Sequence, residues 1–294
     1  MSSSNTPSLR FYDNVSSIHT QYARIIMNEL NLDYTIVNIE LPFQNLAPTY
    51  AKINPSLSVP AMTILTEDDD ETGTTSTKTI TDSRDIILYC KDRPGGDTLF
   101  PKDKVMDIER IMDHLYRANG GETTFAIHGT RDPLFRSAYR LMRSMQQKLL
   151  RSYRDNAKHA SLTKVYESAV THWSTPSPNL EQRVERAQEV LTVLDQQLNE
   201  SGGPWLFGDE YTAADGMAAI WVQWMVWVQP TPAIAISPRV KEFLTRAQAR
   251  PAWKKTAPQY GISYILTRLY AGIGVVCVIL SVCVFWTVWS TSSN

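Results

Sequence analysis

Cysteine is scarce in this sequence, with three in 294 residues. So few thiols cannot build a disulfide framework, and Cys277 and Cys283 both fall in an apolar terminal run, so a reducing compartment is expected. The third, Cys90, closes a predicted helix. Five histidines (19, 114, 128, 159 and 172) show no metal-ligand spacing, and no metal site is expected. Neither charge dominates: 29 Lys and Arg stand against 30 Asp and Glu, for a formal net charge of −1. Bulk nucleic-acid binding is excluded on that ground. Residues 1–8 are short and polar, unlike a basic-then-apolar signal peptide. What the chain does have is apolar residues, 43% of the total, and length enough for two modest domains.

The longest run without a charge extends from Leu269 to Trp289. As a helix it would measure about 31 Å, the thickness of a hydrocarbon core. Tyr264 and Tyr270 on one side, with Trp286 and Trp289 on the other, suit the two membrane interfaces. Lys254, Lys255 and Arg268 precede the run and no charge follows it, so the body of the protein is expected to face the cytosol. Residues 264–289 are therefore read as a single transmembrane tail anchor. A second uncharged stretch, 216–238, is interrupted by Pro230, Pro232 and Pro238 and is read as a buried helix.

Along residues 8–92 the pattern alternates. A strand at 9–13 precedes an amphipathic helix at 17–30, with Ile18, Tyr22, Ile25, Ile26 and Leu30 on one face. A strand at 34–39, a short helix at 46–53, a hairpin of 61–65 with 79–81, and a helix at 84–90 follow. This βαβ-ββα order predicts an α/β thioredoxin-like N-terminal domain. The hairpin loop is long and acidic (Glu67-Asp68-Asp69-Asp70-Glu71) and is read as a solvated insertion. Residues 91–104, with Pro94-Gly95-Gly96 and Pro101, form the linker. Over 103–260 helical periodicity takes over, at 105–119, 133–153, 161–173, 180–200 and 212–228, so this half is predicted to be all-α. Thr212 and Asp215 have the form of a capping box, and Trp221, Trp224 and Trp227 are read as core.

One segment of the helical half is unusual. Between Arg131 and Lys164 nine Lys and Arg face only two acidic residues, while Phe135, Tyr139, Met142, Leu149, Leu150 and Tyr153 share one helical face. Two readings stand: a solvated basic face, or contact with anionic lipid or an acidic partner.

Two dipeptides carry the functional signal. Val59-Pro60 stands just before the hairpin, where a cis X-Pro bond is cheap. A cis bond would turn the Val59 backbone outward to pair with an extended peptide. Asp82-Ser83 opens a helix whose N-terminus suits a carboxylate, while the Asp82 side chain suits an ammonium group. A pocket with both features would grip an amino-acid head next to a peptide bond, the shape of glutathione's γ-glutamyl end.

These residues resemble the glutathione S-transferase family. The resemblance runs through Asn54-Pro55, Val59-Pro60 and Asp82-Ser83, and resumes with Trp205-Leu206-Phe207-Gly208-Asp209, Thr212-Ala213-Ala214-Asp215 and Arg250-Pro251-Ala252-Trp253. It implies a glutathione transferase-like pair of domains with glutathione as co-substrate. It also implies that the thiol is added to a small electrophile or used to reduce a hydroperoxide; a homodimer, common in the family, is left open because the lengthened helical region can obstruct the usual interface. Val59 would hold the cysteinyl part, Asp82 and Ser83 the γ-glutamyl end, and Asn45 the glycyl carboxylate. Ser17, seven residues before Arg24, lies where the serine-type classes carry the hydroxyl that stabilises the thiolate; Ser16, Thr20 and Tyr12 are alternatives. His19 is read as structural. No cysteine lies in the turn at 14–21, which argues against disulfide exchange. The turn from Ser17 to Arg24, the enlarged region 120–178 and the apolar terminus are similar to the tail-anchored ganglioside-induced differentiation-associated proteins. That likeness implies the mitochondrial outer membrane, with the endoplasmic reticulum as competitor because residues 290–294 are uncharged. It also leaves open a non-catalytic adaptor of organelle dynamics.

Overall fold

A computed structural model describes residues 8–67, 75–174, 179–229 and 234–259. The N-terminal half is built from β1 (Ser8–Asp13), α1 (Ile18–Glu29), β2 (Thr35–Asn38), a 3-10 turn at Gln44–Leu46, α2 (Pro48–Ala51), β3 (Ala61–Glu67), β4 (Thr75–Ile80) and α3 (Ser83–Lys91). One sheet forms in the order β2-β1-β3-β4. The β1–β2 pair is parallel, as a crossover through α1 requires, and the other two pairs are antiparallel. The thioredoxin-like layer expected from the strand–helix alternation is present.

Periodicity predicts an α1 with one apolar face, yet the helix is buried nearly all round, polar Gln21, Arg24 and Asn28 included. The helical half covers its second face. The three find partners: Asn28 donates to Thr256 Oγ1 at 2.9 Å, Gln21 Nε2 donates to Val15 C=O at 2.7 Å, and Arg24 forms an ion pair with Asp13 at 3.1 Å. Burial cannot be read from α1 alone, because the chain that causes it lies more than 200 residues away.

After the linker, which holds the one-turn α4 (Gly96–Leu99), the helical half comprises α5 (Val105–Ala118), α6 (Gly120–Arg131), α7 (Pro133–Asp155), α8 (Ala160–Ser174), α9 (Leu180–Ser201), α10 (Ala213–Trp227), α11 (Pro238–Gln248) and α12 (Pro251–Thr256). Helices α6, α11 and α12 were not expected. The start of α6, Gly-Gly-Glu-Thr-Thr, has poor intrinsic helix propensity. Tertiary contact overrides it: Asn119 takes a left-handed conformation (φ 40°) and caps the helix by accepting from Glu122 N–H at 3.2 Å. A Cβ on Gly120 would meet Trp221 Nε1 at 2.9 Å and Ile18 Cδ1 at 3.0 Å, so glycine lets α6 sit against both α10 and α1.

The main apolar core runs through both halves, joining Phe11, Ile26 and Ile87 to Leu115, Trp221 and Phe243, and a smaller one joins Leu46 and Leu57 to Leu150 and Tyr166. Helix α10 lies deepest in it, as expected for the uncharged stretch. Among the described residues no helix is long and apolar enough to cross a membrane. The apolar run 269–289 and most of the acidic hairpin loop lie outside the described residues.

The family-like segments of the second half act as clamps. Asp215 accepts from the Thr212 backbone N–H at 2.8 Å and hydroxyl at 2.7 Å, completing the capping box, and from Leu206 N–H at 2.8 Å. Arg250 grips Glu29 of α1 with two 2.7 Å hydrogen bonds and lies 3.7 Å from the Tyr211 ring centroid. Burial is the largest influence on the Asp215 carboxyl and raises it to about 6, although its three donors favour the charged form. Folded Asp215 thus holds a proton that the unfolded chain, with an ordinary value of 3.8, has already lost. Its contribution to stability is therefore greatest below pH 4 and declines as the pH rises to about 6. Chemical denaturation at pH 4 and pH 7 should show the wild-type advantage over Asp215→Asn shrinking at the higher pH, by on the order of 3 kcal/mol.

Candidate active cleft

The turn from Asn14 to Ser17 joins β1 to α1 at the border between the two halves. Its geometry is fixed by side chains. Asn14 donates to Ile39 C=O at 2.9 Å, and Asn14 Oδ1 accepts from the Ser16 backbone N–H at 3.1 Å and from its hydroxyl. Gln21, one turn into α1, donates to Val15 C=O at 2.7 Å and Gln259 C=O at 2.8 Å, and accepts from Trp224 Nε1 at 2.8 Å. One buried amide therefore holds the turn, α10 and the segment after α12 together.

Beside the turn opens a cavity of about 340 Å³. Ser16, Ser17, Ile18 and His19 form one edge, and Leu41, Pro42, Asn45, Leu57, Ser58 and Val59 form a second. The far wall comes from α6, α7 and α10: Gly121, Glu122, Phe125, Tyr139, Met142, Arg143, Gln146 and Trp224. Phe125 and Tyr139 stack with centroids 5.8 Å apart. The lining is mostly apolar with a few polar groups converging, the usual make-up of a small-molecule site.

Three expected site residues, Ser17, Asn45 and Val59, meet at this cavity. Ser17 Oγ accepts from Thr20 N–H at 3.4 Å and so caps α1, which leaves its own proton uncommitted among the described residues. Ser16, also on the cavity, donates its O–H to Asn14 Oδ1. Thr20 and Tyr12 are buried away from it. Of the four hydroxyls weighed from sequence, Ser17 alone combines a free O–H with a place on the cleft and at a helix N-terminus.

The Val59-Pro60 bond is cis, as is Leu41-Pro42. The segment before Val59 is pinned from three sides. Asn45 donates to Leu57 C=O at 2.7 Å, while Tyr50 Oη and Asn54 Nδ2 each donate to Ser58 C=O at 2.7 Å. Leu57 is buried in a left-handed conformation (φ 56°), which a leucine adopts only when its surroundings impose it. One amide hydrogen of Asn45 is thus spent on the loop, and its buried oxygen has no partner among the described residues.

Asp82 and Ser83 do not line the cavity. Exposed Asp82 caps α3 by accepting from Arg84 N–H at 2.7 Å. Buried Ser83 lies 3.0 Å from Tyr116 Oη. Two links tie them to the rest. Asn54 Nδ2 reaches Thr81 C=O at 3.2 Å as well as Ser58 C=O, so one side chain holds together the segments that lead into Asp82 and into Val59. The second link is His19, on the cavity edge, whose ring stacks on Tyr116 (centroids 5.8 Å apart, 7° between planes).

Burial, the largest influence on His19, lowers its basicity, while Asp82 and Glu122 pull it back up. Burial likewise pushes the Asp13 carboxyl, next to the turn, up to about 6 against the pull of Arg24. Cys90 is buried, and its thiol is pushed up to about 12, so it is no nucleophile. No group of acidic, histidine or cysteine residues that could hold a metal occurs among the described residues.

Sequence reasoning missed the contributions of α6 and α7. Their lining residues have no motif, and the aromatic spacing of Phe135 and Tyr139 was the one available hint.

Comparison with known proteins decides the family. The model of the glutathione S-transferase N-terminal domain matches residues 16–93, and that of the glutathione S-transferase C-terminal domain matches 149–255. The chain belongs to the glutathione S-transferase family. Glutathione is the co-substrate of that family, and both halves of this chain are transferase-like. The curated relatives include the 2,5-dichlorohydroquinone reductive dechlorinases of two strains of Sphingobium indicum. Each is 28% identical over 212 residues, which cover 65% of this chain. The chain spans 58% of the length of these relatives. Among solved structures, a transferase family member from Pseudomonas fluorescens with two glutathiones bound has a TM-score of 0.57 at 16% identity, covering 87% of this chain and 95% of its own. Glutathione transferase F2 of Populus trichocarpa has a TM-score of 0.54 at 18% identity, covering 86% and 98%. At such identities these likenesses speak for the fold alone.

The Gln21 amide predicts a test of the cleft in this transferase-like protein. Gln21→Leu would leave buried Trp224 Nε1 and the half-buried Val15 C=O without that partner, at a cost of about 1–3 kcal/mol. The thermal midpoint should fall, and glutathione affinity should fall with it in a calorimetric titration.

Proposed function

We propose that this protein is a membrane-anchored glutathione transferase in which Ser17 stabilises the glutathione thiolate for attack on a small electrophile. The observation that carries this reading is the Ser17 hydroxyl: its proton is uncommitted, it sits at the α1 N-terminus, and it faces a largely apolar cavity. Glutathione would lie along the cis-proline edge, with its cysteinyl part at the Val59 backbone and its γ-glutamyl end toward Asp82 and Ser83. Helix N-terminus and hydroxyl together favour the anion over the thiol. Likeness to the dechlorinases and the stacked Phe125–Tyr139 wall favour a halogenated aromatic electrophile, with hydroperoxides as a second class.

Membrane attachment rests on the sequence of residues 269–289. On the likeness to the tail-anchored ganglioside-induced differentiation-associated type, we place the body in the cytosol at the mitochondrial outer membrane or the endoplasmic reticulum. An N-terminal fluorescent fusion should lose its membrane pattern when residues 269–294 are removed.

A second reading has its own observation. Helix α7 exposes Leu134, Leu141 and Met145 beside a face bearing Arg136, Arg140 and Arg151, as an adaptor for anionic lipid or an acidic partner would. The two readings part on one measurement. In a titration of the purified protein with glutathione, the transferase reading expects millimolar or tighter binding, with thiolate absorbance near 240 nm developing below the thiol's usual pH range. Ser17→Ala should lose roughly 100-fold in turnover, while Ser16→Ala stays within a few-fold of wild type. A protein that does not bind glutathione would be left to the adaptor reading.

A further inference from the structure

His19 is read from sequence as structural, yet it lines the cleft two residues from Ser17. Resting on the transferase reading above, we infer that His19 accepts the glutathione thiol proton, so that Ser17 receives a thiolate to hold. Three features of the ring carry this.

First, its orientation is fixed without use of its nitrogens. It stacks face to face on Tyr116 and meets Tyr22 edge to face at 5.9 Å, and neither ring nitrogen has a hydrogen-bond partner among the described residues. The residue is half-buried, and neither nitrogen is among the buried unpartnered atoms, so both stay open to a proton.

Second, the groups facing it suit a proton acceptor. Tyr22 and Tyr116 are neutral, since burial pushes both phenols above their usual range. Asp82 lies on the α3 side and Glu122 on the α6 side, and Arg183 neutralises Glu122 at 2.7 Å. Burial keeps the imidazole neutral at pH 7, with a lone pair to offer, and the two carboxylates favour the imidazolium once it forms.

Third, the ring is coupled to the far end of the site. Its stacking partner Tyr116 contacts Ser83, so a γ-glutamyl group seated at Asp82-Ser83 is sensed one aromatic ring away from the imidazole.

In the step proposed, the thiol S–H bond breaks and its proton passes to an imidazole nitrogen, leaving the electron pair on sulfur. The Ser17 hydroxyl donates to that sulfur. As the thiolate attacks, the S–C bond forms and the displaced group departs with its own electron pair, for example as halide. The imidazolium then returns its proton to solvent or to the departing group.

His19→Gln keeps the size and hydrogen-bonding capacity of the side chain and removes its titration. Full-length protein would be assayed with glutathione and 1-chloro-2,4-dinitrobenzene across pH 5.5–9.5, beside calorimetric glutathione binding and near-ultraviolet circular dichroism as a folding control. His19→Asn would serve as the second variant. We expect glutathione affinity within about threefold of wild type and turnover reduced about 100-fold. We also expect the acid limb to move up in the variant, from the loss of the His19 proton to the ionisation of the thiol held by Ser17. A folded variant with wild-type turnover and an unmoved acid limb would overturn the inference, as would loss of glutathione binding with turnover at saturation preserved. Failure of the wild-type protein to bind glutathione is a different result, which removes the transferase reading itself.

Discussion

The cleft depends on the Gln21 side chain. Its amide meets three groups drawn from three parts of the chain: the half-buried turn at Val15, buried Trp224 of α10 and the Gln259 carbonyl. An unmet buried donor or acceptor costs more than a typical hydrogen bond returns, so these three groups have one joint arrangement that leaves none unpaired. The serine-bearing turn is held in place by the helical half as much as by its own strand and helix. Arg250 on Glu29 and Asn28 on Thr256 repeat the pattern at the other end of α1, where polar residues again dock the two halves without exposing their bonding groups.

Differences between chemically identical groups give the cleft its polarity. Ser16 and Ser17 are neighbours with the same hydroxyl, but one donates its O–H to Asn14 Oδ1 while the other accepts from the helix and keeps its O–H free to donate. Resemblance to the serine-type classes points to Ser17, and hydrogen bonding supplies the physical distinction. Asn54 similarly turns two sequence-distant signals into one site, because a single amide nitrogen meets the carbonyls just ahead of Val59 and of Asp82.

Much of the N-terminal fold was legible because its signals are local. Strand alternation, the i, i+4, i+7 spacing of α1, and the Pro and Gly of the linker each act over a few residues. The capping box at Thr212 and Asp215 was readable for the same reason. What escaped detection was created by contact over distance. Helix α6 begins on residues that disfavour helix and exists because Gly120 fits between Trp221 and Ile18. The far wall of the cleft comes largely from α6 and α7, where Phe125, Tyr139 and Gln146 form no motif. His19 was set aside because a lone histidine carries no information until its neighbours are known. Asp82 and Ser83 were placed correctly at a helix start, but sequence could not show that Tyr116 and His19 stand between them and the cavity.

Composition divides this chain at its proline- and glycine-rich linker, but the burial of α1 on both faces argues that the division is not a thermodynamic one. A fragment ending at the linker would keep its sheet yet present to water the flank of α1 that normally meets α10 and α12, with Ile25 and Ile26 among its apolar residues. Heat or denaturant should therefore melt the described halves as a cooperative whole, not as two beads on a string.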